Sequence, residues 1–183
     1  EVNSTEIVEE IISLQPDLII TYGCSIIKSR ILESFKRKII NVHLGLSPYY
    51  FGAGTNYHAL VNNDFQCVGY TFMYMDEGID TGEIIHQSRA RILPNDSPHQ
   101  IGNRLIKDMT KDFIKLVVGF NNVQIKTQVT FDVGKTFKKN DASAETDMKL
   151  YKNFKEGSVI TYLRKRKSLE KKFPIIEQDF IRD

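Results

Sequence analysis

The sequence predicts an α/β domain in which a mostly parallel, twisted sheet carries helices on both faces. Residues 17–21, "DLIIT", and residues 38–43, "KIINVH", are short apolar segments of the kind that a parallel sheet buries on both faces. Between them, residues 28–35, "KSRILESF", have the composition of a helix. Strand, helix and strand in this order form a βαβ unit, and its crossover is expected to be right-handed.

A helix is expected before this unit. Asn3 is the expected N-cap, with Glu6 at the third position of the helix, and Pro16 ends it. The apolar stripe along this helix consists of Ile7, Val8, Ile11, Ile12 and Leu14.

The segments after the βαβ unit alternate in type. A Pro/Gly loop at 48–54 leads to a short helix from Thr55, the expected cap, to Val61. Residues 68–76 and 83–92 read as strands joined by "EGIDTG". A long helix then begins with a capping box, formed by Ser97 and Gln100 with Pro98 in the first turn, and ends near Gly119.

The chain becomes more polar and basic after about residue 120. We therefore divide it into a core at 1–120 and a C-terminal extension at 121–183. Residues 123–141 read as extended chain with a turn, and residues 144–157 and 158–172 read as two surface helices. The extension is expected to wrap on the core as a subdomain or a dimerisation arm, so a homodimer is one expectation.

Bulk composition narrows the class of protein. The 183 residues are 41% hydrophobic and 26% charged, which is ordinary for a globular domain, and a net charge of +2 gives no argument for nucleic acid. There is no apolar run of membrane-spanning length. Cys24 and Cys67 have no metal-binding spacing; two lone thiols in a cytoplasmic protein are favoured over one disulfide.

Two polar side chains end the second apolar segment. Side chains alternate faces along a strand, so Asn41 and His43 point the same way at its carboxyl end. A lone histidine at a strand end is more often structural, and the acidic loop "DEGIDTGEII" taken alone is more often a solvated turn. Taken together, these residues indicate a site.

The combination resembles the folate-dependent formyltransferases, a family that includes glycinamide ribonucleotide, methionyl-tRNA and nucleotide-sugar N-formyltransferases. The matching elements are Asn41-Val42-His43 followed by Pro48, then Gly52, then Gly69-Tyr70-Thr71, then Asp80-Thr81-Gly82. The resemblance runs from about residue 7 to 118. It implies a Rossmann-like formyltransferase fold with its N-terminal strands missing.

The resemblance assigns catalysis to Asn41, His43 and Asp80. The Asn41 amide and a protonated His43 are suited to stabilise an oxyanion, and Asp80 is suited to orient the imidazole and accept a proton through a water. Two positions depart from the family pattern: Gly45 replaces the usual serine, and Ser47 replaces the second leucine.

The resemblance also implies two sets of binding residues. The donor co-substrate is 10-formyltetrahydrofolate, and no metal is expected. The residues expected to bind the donor are Gly23, Cys24, Ser25, Ile26, Ile27, Asp76, Gly78 and Ile79. The residues expected to bind the acceptor are Gly45, Ser47, Pro48, Tyr49, Gly54 and Thr55.

The function expected from these features is formyl transfer to a primary amine of a small molecule, either an amino sugar nucleotide or glycinamide ribonucleotide. The alternatives are a formyltetrahydrofolate hydrolase and a non-catalytic folate- or nucleotide-binding module. Methionyl-tRNA formylation is disfavoured because the late segments read as helices rather than a β-barrel, so nucleic acid is not the expected partner, and neither is a membrane.

Other polar residues are given structural interpretations. A metal site joining His58 and His86 to His43 is disfavoured because no two of them are closely spaced. His99 and the "RKRK" run at 164–167 are expected at the solvent surface. Roughly one hundred further residues are expected upstream, because without them "KIINVH" is expected to be an unpaired apolar edge.

Overall fold

The computed structural model describes residues 1–126 and 134–182. The strands of this part are β1 (Ile19–Thr21), β2 (Ile39–His43), β3 (Tyr50–Gly52), β4 (Gly69–Tyr74), β5 (Ile84–Arg89) and β6 (Lys135–Phe137). The helices are α1 (Thr5–Leu14), α2 (Ser29–Ser34), α3 (Thr55–Val61), α4 (Pro98–Val118), α5 (Ala144–Lys155), α6 (Ser158–Glu170) and α7 (Asp179–Arg182).

The main sheet has the strand order β1-β2-β4-β5. β1 and β2 are parallel and enclose α2, which confirms the βαβ unit. β4 is antiparallel to both neighbours, and the short connection from β4 to β5 allows only that direction. The α/β class is confirmed, with one parallel and two antiparallel pairings in this sheet.

The expected unpaired edge at "KIINVH" is wrong. β2 lies between β1 and β4, so its backbone is paired on both sides, and β1 is the edge strand instead. This order places the Asn41 and His43 side chains in the interior of the sheet rather than at its border.

The predicted helix ends are confirmed where the capping residue bonds within its own helix. Ser97 and Gln100 form the expected capping box at α4, and Gly119 ends that helix. Two expected caps are wrong. Gly54 takes the N-cap position of α3, while the Thr55 hydroxyl donates to the Leu44 carbonyl.

Asn3 is the other cap that the structure corrects. Ser4 takes the N-cap position of α1 without a side-chain bond. The Asn3 side chain instead reaches the loop after β1, where it donates to the Ile26 carbonyl at 2.8 Å and accepts from the Lys28 amide at 2.9 Å. Asn3 thus ties the first helix to that loop.

The C-terminal extension shares the core of the α/β sheet. Buried Leu150, Val159 and Tyr162 belong to the same apolar cluster as Tyr70 and Phe72 of β4. α5 and α6 confirm the two expected helices. β6 lies in the segment expected to be extended, and residues 127–133 of that segment lie outside the described residues.

The segment at 176–178 runs along β5. The Gln87 amide donates to the Ile176 carbonyl at 2.6 Å, and the Gln178 amide donates to His86 Nδ1 at 2.9 Å. The Gln178 side chain donates to the Ile85 carbonyl at 2.9 Å. Residues 176–178 therefore cover the free edge of β5.

Within residues 1–126 and 134–182, none of the helices has both the length and the apolar character needed to cross a membrane.

Candidate active site

Three polar side chains converge at the carboxyl end of β2. Asn41 and His43 point to the same side of the sheet, and the loop between β4 and β5 brings Asp80 to them. The Asn41 amide donates to Asp80 Oδ1 at 2.9 Å, and His43 Nδ1 lies 3.3 Å from Asp80 Oδ2. The sequence predicts this convergence, and the geometry meets it without a bridging water.

Asp80 is held by more than its two neighbours. Its Oδ2 accepts the Gly52 amide at 2.9 Å, and its carbonyl accepts the Ser47 hydroxyl at 3.0 Å. Its backbone has φ 56°, in the left-handed region that non-glycine residues seldom adopt. The loop thus presents the Asp80 carboxylate from a strained position that several hydrogen bonds stabilise.

The rest of the loop is fixed by its own polar groups. Asp76 Oδ1 accepts the Gly78 amide at 3.0 Å and the Thr81 hydroxyl at 2.9 Å. A Cβ at Gly82 would lie 1.7 Å from the Tyr74 carbonyl oxygen, so the chain can turn back toward β5 only with glycine here. These contacts explain the Asp, Gly and Thr residues of "DEGIDTG".

Asn41 is oriented from its other end. The Thr21 hydroxyl lies 3.4 Å from Asn41 Oδ1 and 3.1 Å from the Ile40 carbonyl oxygen, and its one proton can be donated to either acceptor. With its oxygen facing a donor and its nitrogen facing Asp80, the amide has one N–H left. That N–H has no acceptor among residues 1–126 and 134–182, and it is available to a ligand.

His43 is buried between two acceptors. Its Nδ1 faces the Asp80 carboxylate, and its Nε2 lies 3.2 Å from the Tyr50 carbonyl oxygen. Only the imidazolium donates to both. Burial lowers the pKa of His43, whereas Asp80 and the Tyr50 carbonyl oppose that shift. Burial is the larger effect, so the pKa of His43 is lowered on balance, and Asp80 and the Tyr50 carbonyl favour the charged form against it.

Position 45 must be glycine for the His43 ring to lie where it does. A Cβ there would lie 2.4 Å from both His43 Nε2 and Thr55 Oγ1. The serine that the family pattern has at this position would need these two side chains to move. Gly45 thus lets the imidazole and the start of α3 approach each other closely.

A cavity of about 980 Å³ opens beside the three side chains. All eight residues predicted to bind the donor line it, on the β1–α2 loop and on the β4–β5 loop. Two of them, Ile26 and Ile79, expose 68% and 56% of their surface. Exposed apolar side chains on both loops are suited to enclose the faces of a flat ring.

The residues predicted to bind the acceptor are dispersed. Gly54 and Thr55 line the main cavity. Ser47 and Pro48 instead line a separate cavity of about 440 Å³. The Tyr49 hydroxyl donates to the Pro174 carbonyl at 2.6 Å, and Gly45 packs beneath His43. The geometry gives these last four residues contacts within the fold rather than contacts with the main cavity.

Ser47 belongs to a buried network behind the site. Its amide donates to the Thr71 hydroxyl at 3.1 Å, and Thr71 donates to the Gly45 carbonyl at 2.7 Å. The Gln87 side chain donates to the Ser47 carbonyl at 2.6 Å and accepts from the Ile176 amide at 3.1 Å. The Ser47–Pro48 peptide bond is cis.

Several cavity residues were not predicted from the sequence, among them four on α3 and the extension. Tyr57 of α3 lines the cavity together with Phe137, Lys138 and Lys139 of the extension. Tyr57 fits the apolar spacing of its helix, which is typical of core. Phe137, Lys138 and Lys139 reach the cavity because β6 pairs with β3. No local sequence pattern predicts that pairing, so no signal in the sequence identified these three residues.

The described residues contain no cluster of three or more His, Cys, Asp or Glu side chains arranged to hold a metal ion. Cys24 is exposed and Cys67 is buried, and both are free thiols. His58 stacks on Phe137, and His86 packs among aromatic rings of β4. The neutral form of His86 is favoured because burial and nearby cations lower its pKa to about 4.

Comparison with known proteins gives the class to which this fold and site belong. The family profile described as "Formyl transferase" matches residues 1–117. This is more than half of the chain, and the chain belongs to the formyl transferase family.

Two curated relatives are methionyl-tRNA formyltransferases. The one from Lysinibacillus sphaericus is 33% identical over 138 residues, covering 72% of this chain and 44% of the relative. The one from Finegoldia magna is 31% identical over 168 residues, covering 88% of this chain and 51% of the relative. The chain spans about half the length of these relatives.

Two solved structures are similar to the chain. One is the formyltransferase PseJ from Anoxybacillus kamchatkensis in complex with UDP-4,6-dideoxy-4-formamido-L-AltNAc and tetrahydrofolate, at TM-score 0.61 and 31% identity over 69% of this chain and 67% of that chain. The other is phosphoribosylglycinamide formyltransferase from Streptococcus pneumoniae, at TM-score 0.57 and 26% identity over 63% and 64%. The fold expected from the sequence is confirmed by these matches.

Proposed function

We propose that this chain carries the catalytic site of an N-formyltransferase that moves a formyl group from 10-formyltetrahydrofolate to a primary amine. The observation that carries the proposal is the convergence of Asn41, His43 and Asp80 in one cavity, next to the apolar faces of Ile26 and Ile79. Family membership and the tetrahydrofolate complex of a 31% identical relative support the donor.

The proposed reaction begins when the neutral amine attacks the formyl carbon. A C–N bond forms, and the carbonyl oxygen gains negative charge. The remaining N–H of Asn41 is placed to donate to that oxygen. A protonated His43 is suited to stabilise the same negative charge.

The second half of the reaction breaks the bond between the formyl carbon and N10 of the folate. The attacking amine loses a proton through a water to Asp80, and Asp80 returns this proton through water to N10 as tetrahydrofolate leaves. The same carboxylate orients His43 and stabilises its charged form. The products are a formamide and tetrahydrofolate, so atoms and charge balance.

The acceptor we propose is an amino sugar linked to a nucleotide. The similar solved structure holds a formamido sugar on UDP, and the cavity is large enough for a folate head and a small acceptor together. Glycinamide ribonucleotide is the nearest alternative. Methionyl-tRNA is a second candidate, favoured by the names of the curated relatives.

Two other readings keep the cavity but change the chemistry. A formyltetrahydrofolate hydrolase would place water where the amine attacks, and a pure binding module would hold folate without turnover. The three converging side chains favour catalysis over binding alone, because binding a folate requires no such arrangement.

The decisive experiment assays donor consumption by the protein against four acceptors and detects the products by mass. The acceptors are a UDP-amino sugar, glycinamide ribonucleotide, methionyl-tRNA and water. His43→Ala is expected to lower kcat at least about 100-fold with unchanged folate affinity, because its contribution belongs to the transition state.

The matched control is His99→Ala, a surface histidine outside the cavity, which should leave turnover unchanged. Formate release without amine would favour the hydrolase. Full turnover in His43→Ala would contradict the catalytic assignment.

A further inference from the structure

The extension places two lysines at the wall of the main cavity. After pairing with β3, the chain leaves β6 at Phe137 and turns through Lys138 and Lys139, which both line the cavity. The Lys138 amide donates to the Asp141 carboxylate at 2.7 Å, which fixes this turn. Both lysine side chains are exposed, so their ammonium groups are accessible to a ligand.

These two ammonium groups have no ion-pair partner within residues 1–126 and 134–182. Lys135 on the same strand is different, because its Nζ lies 2.8 Å from Asp64 Oδ2 and about 5.4 Å from the Tyr50 ring centroid. The carboxylate nearest to the pair in sequence, Asp141, already accepts the backbone amide of Lys138. Within the described residues, the charges of Lys138 and Lys139 are therefore not compensated by an ion pair.

Aromatic rings lie beside the two lysines. Phe137 stacks on His58 with ring centroids 4.0 Å apart, and Tyr57 packs edge-on against His58 at 5.0 Å. Tyr57 and Phe137 both line the cavity. This side of the cavity combines cations with aromatic surface, which suits a phosphate attached to a ring.

The loop between β4 and β5 brings acidic groups to the same cavity. Asp76, Glu77 and Asp80 all line it on the β4–β5 loop. A phosphate-bearing ligand is repelled from that loop and attracted to the lysines, so the charge distribution alone orients it. Lysine contributes to phosphate binding as a point charge and needs no exact geometry.

We propose that Lys138 and Lys139 form the phosphate subsite for the acceptor, so that the C-terminal extension supplies part of the substrate site. This inference rests on the proposed function and specifies its acceptor: a phosphorylated molecule that enters with its amine toward Asn41 and His43 and its phosphate toward β6. The folate lies between the β1–α2 and β4–β5 loops.

Binding measurements test the subsite without turnover. Isothermal titration of the protein with UDP and with inorganic pyrophosphate gives the affinity for phosphate, and titration with tetrahydrofolate gives the affinity for the donor side. The Lys138→Gln/Lys139→Gln variant is expected to bind both phosphate probes at least about tenfold more weakly and with a weaker salt dependence. Its tetrahydrofolate affinity should equal that of the wild type.

The matched control is Lys165→Gln/Lys167→Gln, which removes two exposed lysines of α6 that do not line the cavity. It should bind UDP like the wild type. Equal weakening in both variants, or no phosphate binding by the wild type, would overturn the subsite. A wild type that binds UDP but neither binds tetrahydrofolate nor turns over would overturn the proposed function and leave the subsite standing.

Turnover separates binding from catalysis once an acceptor is known. The double lysine variant should raise KM for that acceptor about tenfold and leave kcat within about twofold, because the phosphate contact is the same in the ground state and the transition state. A fall in kcat with unchanged KM would contradict a binding role.

Discussion

The Asp80 carboxylate is the most connected group of the site. It accepts from Asn41 and Gly52 and faces His43 Nδ1, while its own backbone is in the left-handed region. Left-handed backbone in a non-glycine residue costs about 1–2 kcal/mol. The hydrogen bonds offset this cost, and in return the carboxylate is held against the imidazole.

Replacing this carboxylate by an amide tests what its negative charge contributes to the site. Asp80→Asn keeps the size of the side chain but turns one acceptor into a donor that faces donors. We expect kcat to fall at least about 100-fold, and we expect the pKa of His43 to fall further because Asp80 is the larger of the two groups that raise it. NMR titration of the imidazole measures the second effect.

Asp108→Asn is the matched control for that experiment, since it breaks a surface ion pair with Arg91. Its effect on stability should stay within about 1 kcal/mol, and turnover should not change. A His43 pKa that is unchanged in Asp80→Asn would contradict the coupling.

Ile26 offers a test of the donor side at a single residue. It lines the cavity with 68% of its surface exposed, so a substitution there does not disturb the core. Tetrahydrofolate should raise the Tm of the wild type in line with its occupancy. In Ile26→Asp that shift should disappear, because a charge would face the apolar ring. Thermal denaturation with and without ligand measures it.

Ile114→Asp controls for a charge placed on the surface of the protein. Ile114 is 58% exposed on α4 and does not line the cavity. It should retain the full shift with tetrahydrofolate. If Ile26→Asp also retained it, the pterin would have to bind elsewhere.

At the scale of elements, β5 and the segment at 176–178 form a second polar region behind the site. His86 on β5 accepts the Gln178 amide through Nδ1, and its buried Nε2 has no hydrogen-bond partner in the described part of the protein. Burial lowers its pKa to about 4, and the cations Arg182, Lys126 and Lys115 act in the same direction. The C-terminal segment is therefore docked against a neutral histidine.

This depressed pKa makes stability depend on pH. The unfolded pKa of His86 is about 6.5, so the unfolded state binds the proton first as pH falls. The stabilisation is complete above pH 6.5 and is lost progressively toward pH 4, by about 3 kcal/mol in all. His86→Gln should flatten this loss, and denaturant titrations at several pH values measure the difference between the two proteins.

The carboxylates and His43 titrate in both proteins. Their contributions cancel when the free energy of unfolding of the variant is subtracted from that of the wild type at each pH. The difference should be constant above pH 7. A wild type and variant with parallel stability profiles from pH 4 to 6.5 would contradict the assignment to His86.

Sequence patterns predicted a helix or strand correctly where the interactions that determine it join residues close in the chain. The α4 capping box and the strand containing Asn41 and His43 follow from residues within a few positions of each other. β3 was missed, and β6 was expected only as extended chain without a partner, because each has only three residues and neither is stable without the other. The caps at Asn3 and Thr55 were wrong because each side chain found a partner elsewhere in the fold.

At the scale of the whole molecule, one apolar cluster joins the sheet to the C-terminal extension. Leu150 of α5 and Tyr162 of α6 are 4% exposed and belong to the cluster formed by β4. We propose that the extension at 121–183 docks on the core at 1–120 and unfolds together with it. The separate subdomain and the dimerisation arm remain alternatives to that proposal.

Leu150→Ala tests whether core and extension unfold together. It should cost about 2–5 kcal/mol, the usual range for a buried leucine. Unfolding should remain a single transition in the wild type and in the variant, followed both by circular dichroism and by near-UV tyrosine signals. Met148→Ala, on the exposed face of the same helix, should cost little. Two separate transitions would show that the extension folds independently.

The site residues, like the helices and strands, were predicted where the signal is local and missed where it depends on distant contacts. Asn41 and His43 could be placed on one face from strand periodicity alone, and the motif resemblance supplied Asp80. The lysines at 138 and 139 could not be found, because their position depends on which strand β6 joins. The roles of Gly45 and Ser47 also required the three-dimensional contacts, since both act through neighbours rather than through the cavity.

The pairing of β3 with β6 has a kinetic consequence. It joins residues 85 positions apart, and it adjoins the Tyr50 carbonyl beside His43 and the Gly52 amide that binds Asp80. Closing so long a loop costs entropy that only a few strand hydrogen bonds repay. We therefore expect this pair to form late in folding, after the sheet, and the cavity wall to be completed only at that stage. Contacts made after the rate-limiting step govern how fast a protein unfolds rather than how fast it folds, so the lifetime of the assembled site depends on these six residues.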